Sequence, residues 1–385
     1  IGSVPGEILQ DQRVKLFQAR ELTGSVGALK RCATEHASGD ILVELDHDDM
    51  LTPDCLERLV TTLDPAKAQF AYSDFASVTA DMRPVTYDAR YGWENYAVNY
   101  DGYTLKASRA FPISASSLTC LQFAPNHVRA WTRRALQRAG GYTAKLELAD
   151  DFELLLQTYL SGVEFIHIPE CLYIYRTYPT STSHARNKEI QDKQIQIINA
   201  KIGAVINEWQ RRQILPGIAC CISRGEETDL RALYPLESPT TTNGKTHFGE
   251  LSEIKDDTIG QITCHNLLPY LPQQLVLPFF EECYRVLAPG GWLRCSAPTT
   301  DGRAAFANPL YRSYWNQATF QTFCDAKQAA LAGGHTARFQ LPRVWDTWRA
   351  PEDHEPKRIY ACADLVPLKG QRQPGIVNIR TTRGA

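Results

Sequence analysis

Apolar positions along the chain fall into short unbroken runs, separated by stretches whose apolar residues recur at helical spacing. The clearest run is Ile41-Leu42-Val43-Glu44-Leu45, closed by Asp46-His47-Asp48-Asp49. A run of this length predicts a buried parallel strand that opens into an acidic loop. Residues 69–74 predict a second buried strand, and 14–17, 118–123, 164–169 and 172–176 predict further ones. Helices are expected over 27–36, closed by Gly39, over 54–63, over 127–139, ended by Gly140-Gly141, and over 150–160, with acidic residues in its first turn. Residues 77–117 are rich in tyrosine and poor in helical pattern, which predicts an irregular insertion on the acceptor side. Alternation of apolar strands and helices argues for a doubly wound α/β domain. A long charged helix over 187–213 then serves as a spacer or as packing between domains.

The acidic loop carries the chemistry. Open α/β sheets bind ligands beyond the carboxyl ends of their strands. Three carboxylates within four residues repel one another, and a cation relieves that repulsion. Oxygen donors suit Mg²⁺ or Mn²⁺, which in turn hold nucleotide phosphates. The competing reading is an acidic cap for the next helix, because Thr52-Pro53-Asp54 is a good helix entry. Spacing alone leaves both readings standing.

The wider sequence resembles a known family at two ordered places. Gly27-Ala28-Leu29-Lys30-Arg31, then Ala37-Ser38-Gly39-Asp40 leading into the strand and Asp46-His47-Asp48-Asp49, is similar to the centre of family 2 nucleotide-sugar glycosyltransferases of the GT-A fold. Further on, Gly140-Gly141-Tyr142, Ala149-Asp150-Asp151-Phe152-Glu153-Leu154, Ile168-Pro169-Glu170, Tyr173-Ile174-Tyr175-Arg176 and Ser181-Thr182-Ser183 resemble the end of the same domain, in the same order. The resemblance covers about residues 20–200 and implies an inverting, metal-dependent transfer of a sugar from a nucleoside-diphosphate donor to a glycan or lipid-linked acceptor. It implies Asp48 as metal ligand, with Asp46 on the metal or the ribose and Asp49 in support. It implies Asp151 as the base that deprotonates the acceptor hydroxyl, Asp150 standing where the family usually has Glu and Glu153 where it usually has Asp. Lys30, Arg31 and Arg176 are the cations expected at the diphosphate, each with an ordinary solvated role as the alternative. Where the family often has His shortly after that Arg, this chain has Tyr178, and His184 is the candidate to compensate. His47 reads as the variable position of the motif. The family's usual first strand and its two nucleotide-base motifs are not found ahead of residue 14. With Ile1 in first place, the expectation is a GT-A domain lacking its N-terminal part.

A second α/β unit is expected after Pro216-Gly217. Residues 263–271, and 280–294 with Arg285-Val286-Leu287-Ala288-Pro289-Gly290-Gly291, resemble the class I S-adenosylmethionine-dependent methyltransferase fold. The stretch from Asp301 to Phe320 is similar to methyltransferases fused to glycosyltransferases. The glycine-rich turn that such a cofactor needs is reduced to Gly225, and 238–245 reads as a loop, so S-adenosylmethionine binding is doubtful on these residues. His265 is a candidate near the cofactor side, a core or loop histidine being the alternative. The resulting division is a glycosyltransferase domain over 1–186, a helical linker over 187–215, a methyltransferase-like, Rossmann-like domain over 216–366 and a polar tail over 367–385. A terminal strand is expected over 358–366.

Composition narrows the classes. A net charge of −2 over 385 residues gives no electrostatic case for nucleic acid. Eleven cysteines without a paired spacing suggest reduced thiols and a cytoplasmic protein. No apolar run reaches the length of about 18 residues that spans a membrane. Three functions remain open: a metal-dependent glycosyltransferase, a sugar methyltransferase, and a non-catalytic scaffold of two decayed domains.

Overall fold

In this computed structural model the first sheet is mixed. Residues 10–17, 25–119, 125–220, 242–246, 248–348, 359–370 and 372 are described, apart from the side chains of 90, 183, 184, 242–246 and 248–250. Helix α1 (Val26–His36) leads to β1 (Ile41–Glu44), the acidic turn, β2 (Met50–Leu51), α2 (Cys55–Thr62) and the long strand β3 (Gln69–Thr79). A short strand β4 (Pro84–Val85) follows, then a hairpin of β5 (Asn95–Tyr100) and β6 (Tyr103–Ser108), helix α3 (Ala115–Thr119), β7 (Arg129–Thr132), α4 (Arg133–Ala139), α5 (Asp150–Leu160) and β8 (Glu164–Thr177). The strands run in the order β1-β7-β3-β6-β5, with β8 beside β3.

Several expectations are corrected here. Among the described residues β1 pairs antiparallel with β7, not in a parallel ladder, and only Leu42 of its four residues is buried. The helix expected over 127–139 is a strand and a helix. Arg129-Ala130-Trp131-Thr132 is a fully buried strand, and Thr132 stops it by capping α4, its hydroxyl accepting from the Ala135 N–H at 3.2 Å. The tyrosine-rich insertion is ordered, because Tyr96 and its neighbours pair register by register across the β5–β6 hairpin. Residues 115–119, where a strand was expected to begin, are helical, and 120–124 lie outside the described residues. Residues 14–17 form no strand. The two strands expected over 164–176 are one, parallel to β3, with register shifts opposite Ser73 to Phe75.

Helix α6 (Thr182–Ala185) precedes α7 (Asn187–Gln213), the long helix expected from sequence. Its apolar face, Ile197, Ile198, Ile202, Val205, Ile206 and Trp209, is buried in one core cluster with Trp131, Phe152, Leu155 and Tyr159 of the first unit and Trp292 and Val366 of the second. Each such side chain contributes about 1.5–3 kcal/mol when fully buried. The helix is therefore packing rather than a solvated spacer.

The second sheet holds β9 (Gly217–Cys220), β10 (Thr242–Thr246), β11 (Ile259–His265), β12 (Leu287–Pro298), β13 (Phe339–Trp348) and β14 (Ile359–Pro367), with α8 (Gln273–Val286) before β12. Its order is β10-β9-β11-β12-β14-β13. The first four strands are parallel. Strand β14 is antiparallel to both β12 and β13, so the chain enters the sheet's far side through a Rossmann-like arrangement with one reversed strand. Residues 242–245, expected in a loop, are part of β10. Gly290 takes a left-handed φ of +80°, and a Cβ there would lie 3.2 Å from the Trp209 ring. The Pro-Gly-Gly turn is thus a seat for the long helix as well as a strand entry.

Candidate active site

Four elements bring charge to the end of β1. Ser25 caps α1 by accepting from the Ala28 N–H at 3.2 Å, and its own hydroxyl donates to the carbonyls of Ala144 and Leu146. Gly27 lets the helix lie against the loop before α5, since a Cβ there would stand 2.4 Å from the Thr143 carbonyl oxygen. That approach turns Lys30 toward β1. Ala149, in a left-handed turn at φ 59°, starts α5 with Asp150 and Asp151 in its first turn.

The result is a buried charge cluster. The Arg129 side chain on β7 is 2% exposed. Its Nη1 donates to Asp151 Oδ2 at 2.9 Å and its Nη2 to Glu44 Oε1 at 3.1 Å, while Nε lies 2.8 Å from Glu44 Oε2. Lys30 Nζ pairs with the same Glu44 and lies 3.6 Å from Asp46 Oδ1. Burial alone would raise the Asp151 carboxyl, but the Arg129 and Lys30 charges outweigh it and hold it below the usual carboxylate range. Asp150 goes the other way, pushed up by burial and by the charge of Asp151. The Asp151 side chain remains 28% exposed, whereas Asp150 is 5% exposed and its Oδ2 has no hydrogen-bond partner among the described residues. Of the two, Asp151 is the carboxylate a ligand can reach.

The acidic turn divides by role. Asp49 points inward: its Oδ2 accepts from the Tyr173 hydroxyl at 2.7 Å and its Oδ1 from the Arg176 N–H at 2.8 Å. Burial nevertheless pushes its carboxyl up to about 6. Arg176 also donates its Nε to the Asp48 carbonyl. Both residues therefore tie the turn to β8 instead of facing solvent. Asp46 and Asp48 keep side chains that are 38% and 31% exposed, and His47 between them is 96% exposed, 3.7 Å from Asp48 Oδ1. Among the described residues no three His, Cys, Asp or Glu side chains form a metal-holding group. Mg²⁺ commonly takes only one or two carboxylates and completes its shell with water and phosphate oxygens. Two accessible carboxylates on one tight turn fit that pattern.

The remaining candidates lie outside the cluster. Arg31 pairs with Glu35 along its own helix at 2.9 Å. Glu153 faces Lys201 of α7 at 3.4 Å. His184 lies in α6, its side chain outside the described ones. Three residues went unnoticed in sequence: Glu44, Arg129 and His127. The signal available was a lone charge inside each of two apolar runs, Glu44 in one and Arg129 in the other. His127 is buried, stacked on Tyr173 at 4.4 Å and 7°, and burial holds its imidazole well below the usual value.

In the second unit, His265 ends β11 with its Nδ1 on the Ser296 hydroxyl, beside Asn266, whose φ is +52°. Gly225 lies outside the described residues. No helix among the described residues is long and apolar enough to cross a membrane.

Residues 6–120 match the family model described as "Glycosyl transferase family 2". An uncharacterized protein, y4gI of Sinorhizobium fredii (strain NBRC 101917 / NGR234), is 24% identical over 180 residues, 45% of this chain and 17% of that one. The crystal structure of S. aureus TarS 1-349 is 14% identical over 50% of this chain and 52% of that chain, at a TM-score of 0.32. A SAM dependent methyltransferase from Archaeoglobus fulgidus is 10% identical over 44% of this chain and 93% of that chain, at a TM-score of 0.26. The chain thus spans about half the length of the TarS fragment and under a fifth of y4gI.

Proposed function

We propose that this chain, whose residues 6–120 match the family model described as "Glycosyl transferase family 2", moves a sugar from a nucleoside-diphosphate donor to an acceptor hydroxyl with inversion. The observation that carries the reading is the cation shared between the acidic turn and the start of α5: Lys30 lies 3.6 Å from Asp46 and its charge also acts on Asp151. Burial would lower the Lys30 ammonium, yet Glu44 and Asp151 raise it, so it stays charged. A group bound against the turn is thereby brought within the field of Asp151.

In this reading Asp151 takes the proton of the attacking hydroxyl from its exposed side. Its other partners, Arg129 and the Phe152 N–H at 2.7 Å, fix its orientation. Asp46 and Asp48 would hold Mg²⁺ or Mn²⁺, which when bound neutralises charge on the leaving diphosphate. Asp49, Tyr173 and Arg176 keep the turn in shape. A glycan or lipid-linked glycan is the acceptor class this chemistry suits.

The test is a thermal shift with UDP, GDP and dTDP, each with and without Mn²⁺. A metal-dependent rise in Tm with one nucleotide, lost in Asp48→Ala, is the expected result and identifies the donor nucleotide. A rise that Asp48→Ala leaves intact refutes the metal assignment. The same assay with S-adenosylmethionine tests methyl transfer, the second reading, which the Rossmann-like order of the second sheet favours.

A further inference from the structure

Buried charge of both signs at one site raises the question of what each member does for the group that meets substrate. Arg129 has three donor edges, and its carboxylate partners sit on different elements. Glu44 on β1 faces the Nε and Nη2 edge, at 2.8 and 3.1 Å. Asp151 on α5 is left with Nη1 alone, at 2.9 Å. An isolated Arg–carboxylate pair usually closes a two-bond fork. Here Nη1 alone donates to Asp151 while Nη2 donates to Glu44, and Nε and Glu44 Oε2 lie 2.8 Å apart without a hydrogen bond.

We propose that the buried Glu44–Arg129 pair is the positioning brace of Asp151: Glu44 anchors the guanidinium so that only one arm reaches Asp151, which leaves that carboxylate oriented and open on its exposed side. Burial supports a purpose-built arrangement, because the Glu44 side chain is 8% exposed and the Arg129 side chain 2%, and a buried ion pair seldom adds stability over apolar side chains of the same volume. The other charged or titratable groups around Asp151 are Lys30 from α1, His127 before β7, Tyr142 before α5, and Asp150 beside it. Of these only Lys30 adds positive charge, so removing the Arg129 arm leaves Asp151 facing Glu44 and Asp150 with one cation. The inference rests on Asp151 as the base.

The two halves of the brace predict opposite signatures. In Arg129→Lys the planar group that reaches Glu44 and Asp151 with separate arms is lost and the carboxylate is less well held. The acidic limb of the kcat profile for nucleotide-sugar turnover then moves up by about one pH unit. In Glu44→Gln the guanidinium is released to close on Asp151, and kcat falls about tenfold with KM nearly unchanged and no upward shift of that limb. Should Arg129→Lys fail to fold, the double variant Glu44→Gln/Arg129→Met removes both members of the pair, leaves Lys30 with Asp46 as its partner, and carries an upward shift of the same sign. Activity is read as nucleoside diphosphate released from whichever UDP-, GDP- or dTDP-sugar the protein turns over, with Asp151→Asn as the reference. If Asp151→Asn is inactive while the limb stays in place in Arg129→Lys and in the double variant, the pair is only structural and the brace is refuted. If Asp151→Asn keeps the wild-type kcat, the base assignment itself falls, and the brace falls with it.

Discussion

Two buried Arg–carboxylate clusters hold the two sheets, and they differ in what is left open. In the first unit, Arg129 joins Glu44 and Asp151, with Asp151 28% exposed at the rim. In the second, Arg294 donates to Asp364 at 3.0 Å and Arg343 lies 3.2 Å from the same carboxylate, with exposures of 1%, 8% and 0% for the Arg294, Arg343 and Asp364 side chains. Arg343 also reaches Asn199 of α7 at 3.4 Å and lies 3.9 Å over the Trp345 ring. The second cluster lies between β12, β13, β14 and the long helix, with no member open to solvent. The first has one carboxylate, Asp151 in the first turn of α5, open to solvent. Buried charge alone therefore distinguishes nothing; what sets the first network apart, and supports the proposed site, is its one accessible member.

The sharpest way to break the comparison is to neutralise the accessible member. Asp151→Asn is expected to lower kcat by about 10²–10⁴-fold while Tm changes little, as measured by turnover and thermal melt on the same sample. A large loss of Tm with normal turnover per folded molecule would put Asp151 in the same class as Asp364. The converse variant, Asp364→Asn, leaves two buried guanidiniums facing a neutral amide. It is expected to cost about 3–5 kcal/mol in denaturant unfolding, with turnover of the folded fraction unchanged.

A smaller effect separates the adjacent carboxylates of α5. The folded-state value of Asp150 is raised above its unfolded one by burial and by Asp151, so the folded protein holds that proton more tightly. Its contribution to stability is complete below the ordinary carboxylate value and is lost as pH climbs through the raised one. Asp150→Asn should therefore raise Tm most at about pH 7.5, less at about pH 5, and leave it nearly unchanged only at about pH 3, below the ordinary carboxylate value. An equal change at both pH values would show that the carboxyl carries no charge penalty in the folded protein.

Much of this was legible in the chain. The helices over Val26–His36 and Asn187–Gln213 carry their spacing locally, the first with its Ser25 cap, and both appear within a residue or so of expectation. The Asp46-His47-Asp48-Asp49 turn and the Asp150-Asp151 start of α5 were visible as clusters of like charge. Strand β7 was not, because Arg129-Ala130-Trp131-Thr132 runs straight into helix-forming Arg133-Arg134-Ala135-Leu136 and only the Thr132 cap divides them. The hairpin of β5 and β6 was missed because a two-residue alternation that puts Tyr96, Val98 and Tyr100 on one half-buried face reads as irregular until a partner strand is present.

What the sequence by itself determined is the set of local commitments: where helices start, where glycine permits a left-handed turn, which short segments concentrate acid, and that two α/β units follow one another. Only the tertiary structure decided which charges meet. Glu44 and Arg129 are 85 positions apart, Arg294 and Asp364 are 70 apart, and each pair looks in sequence like a solitary charge in an apolar run. Lone charges become a pair when strand order sets them side by side. Whether that pair is a site or a strut then depends on the layer that covers it: α7 and β13 close over Asp364, and nothing among the described residues closes over the exposed side of Asp151.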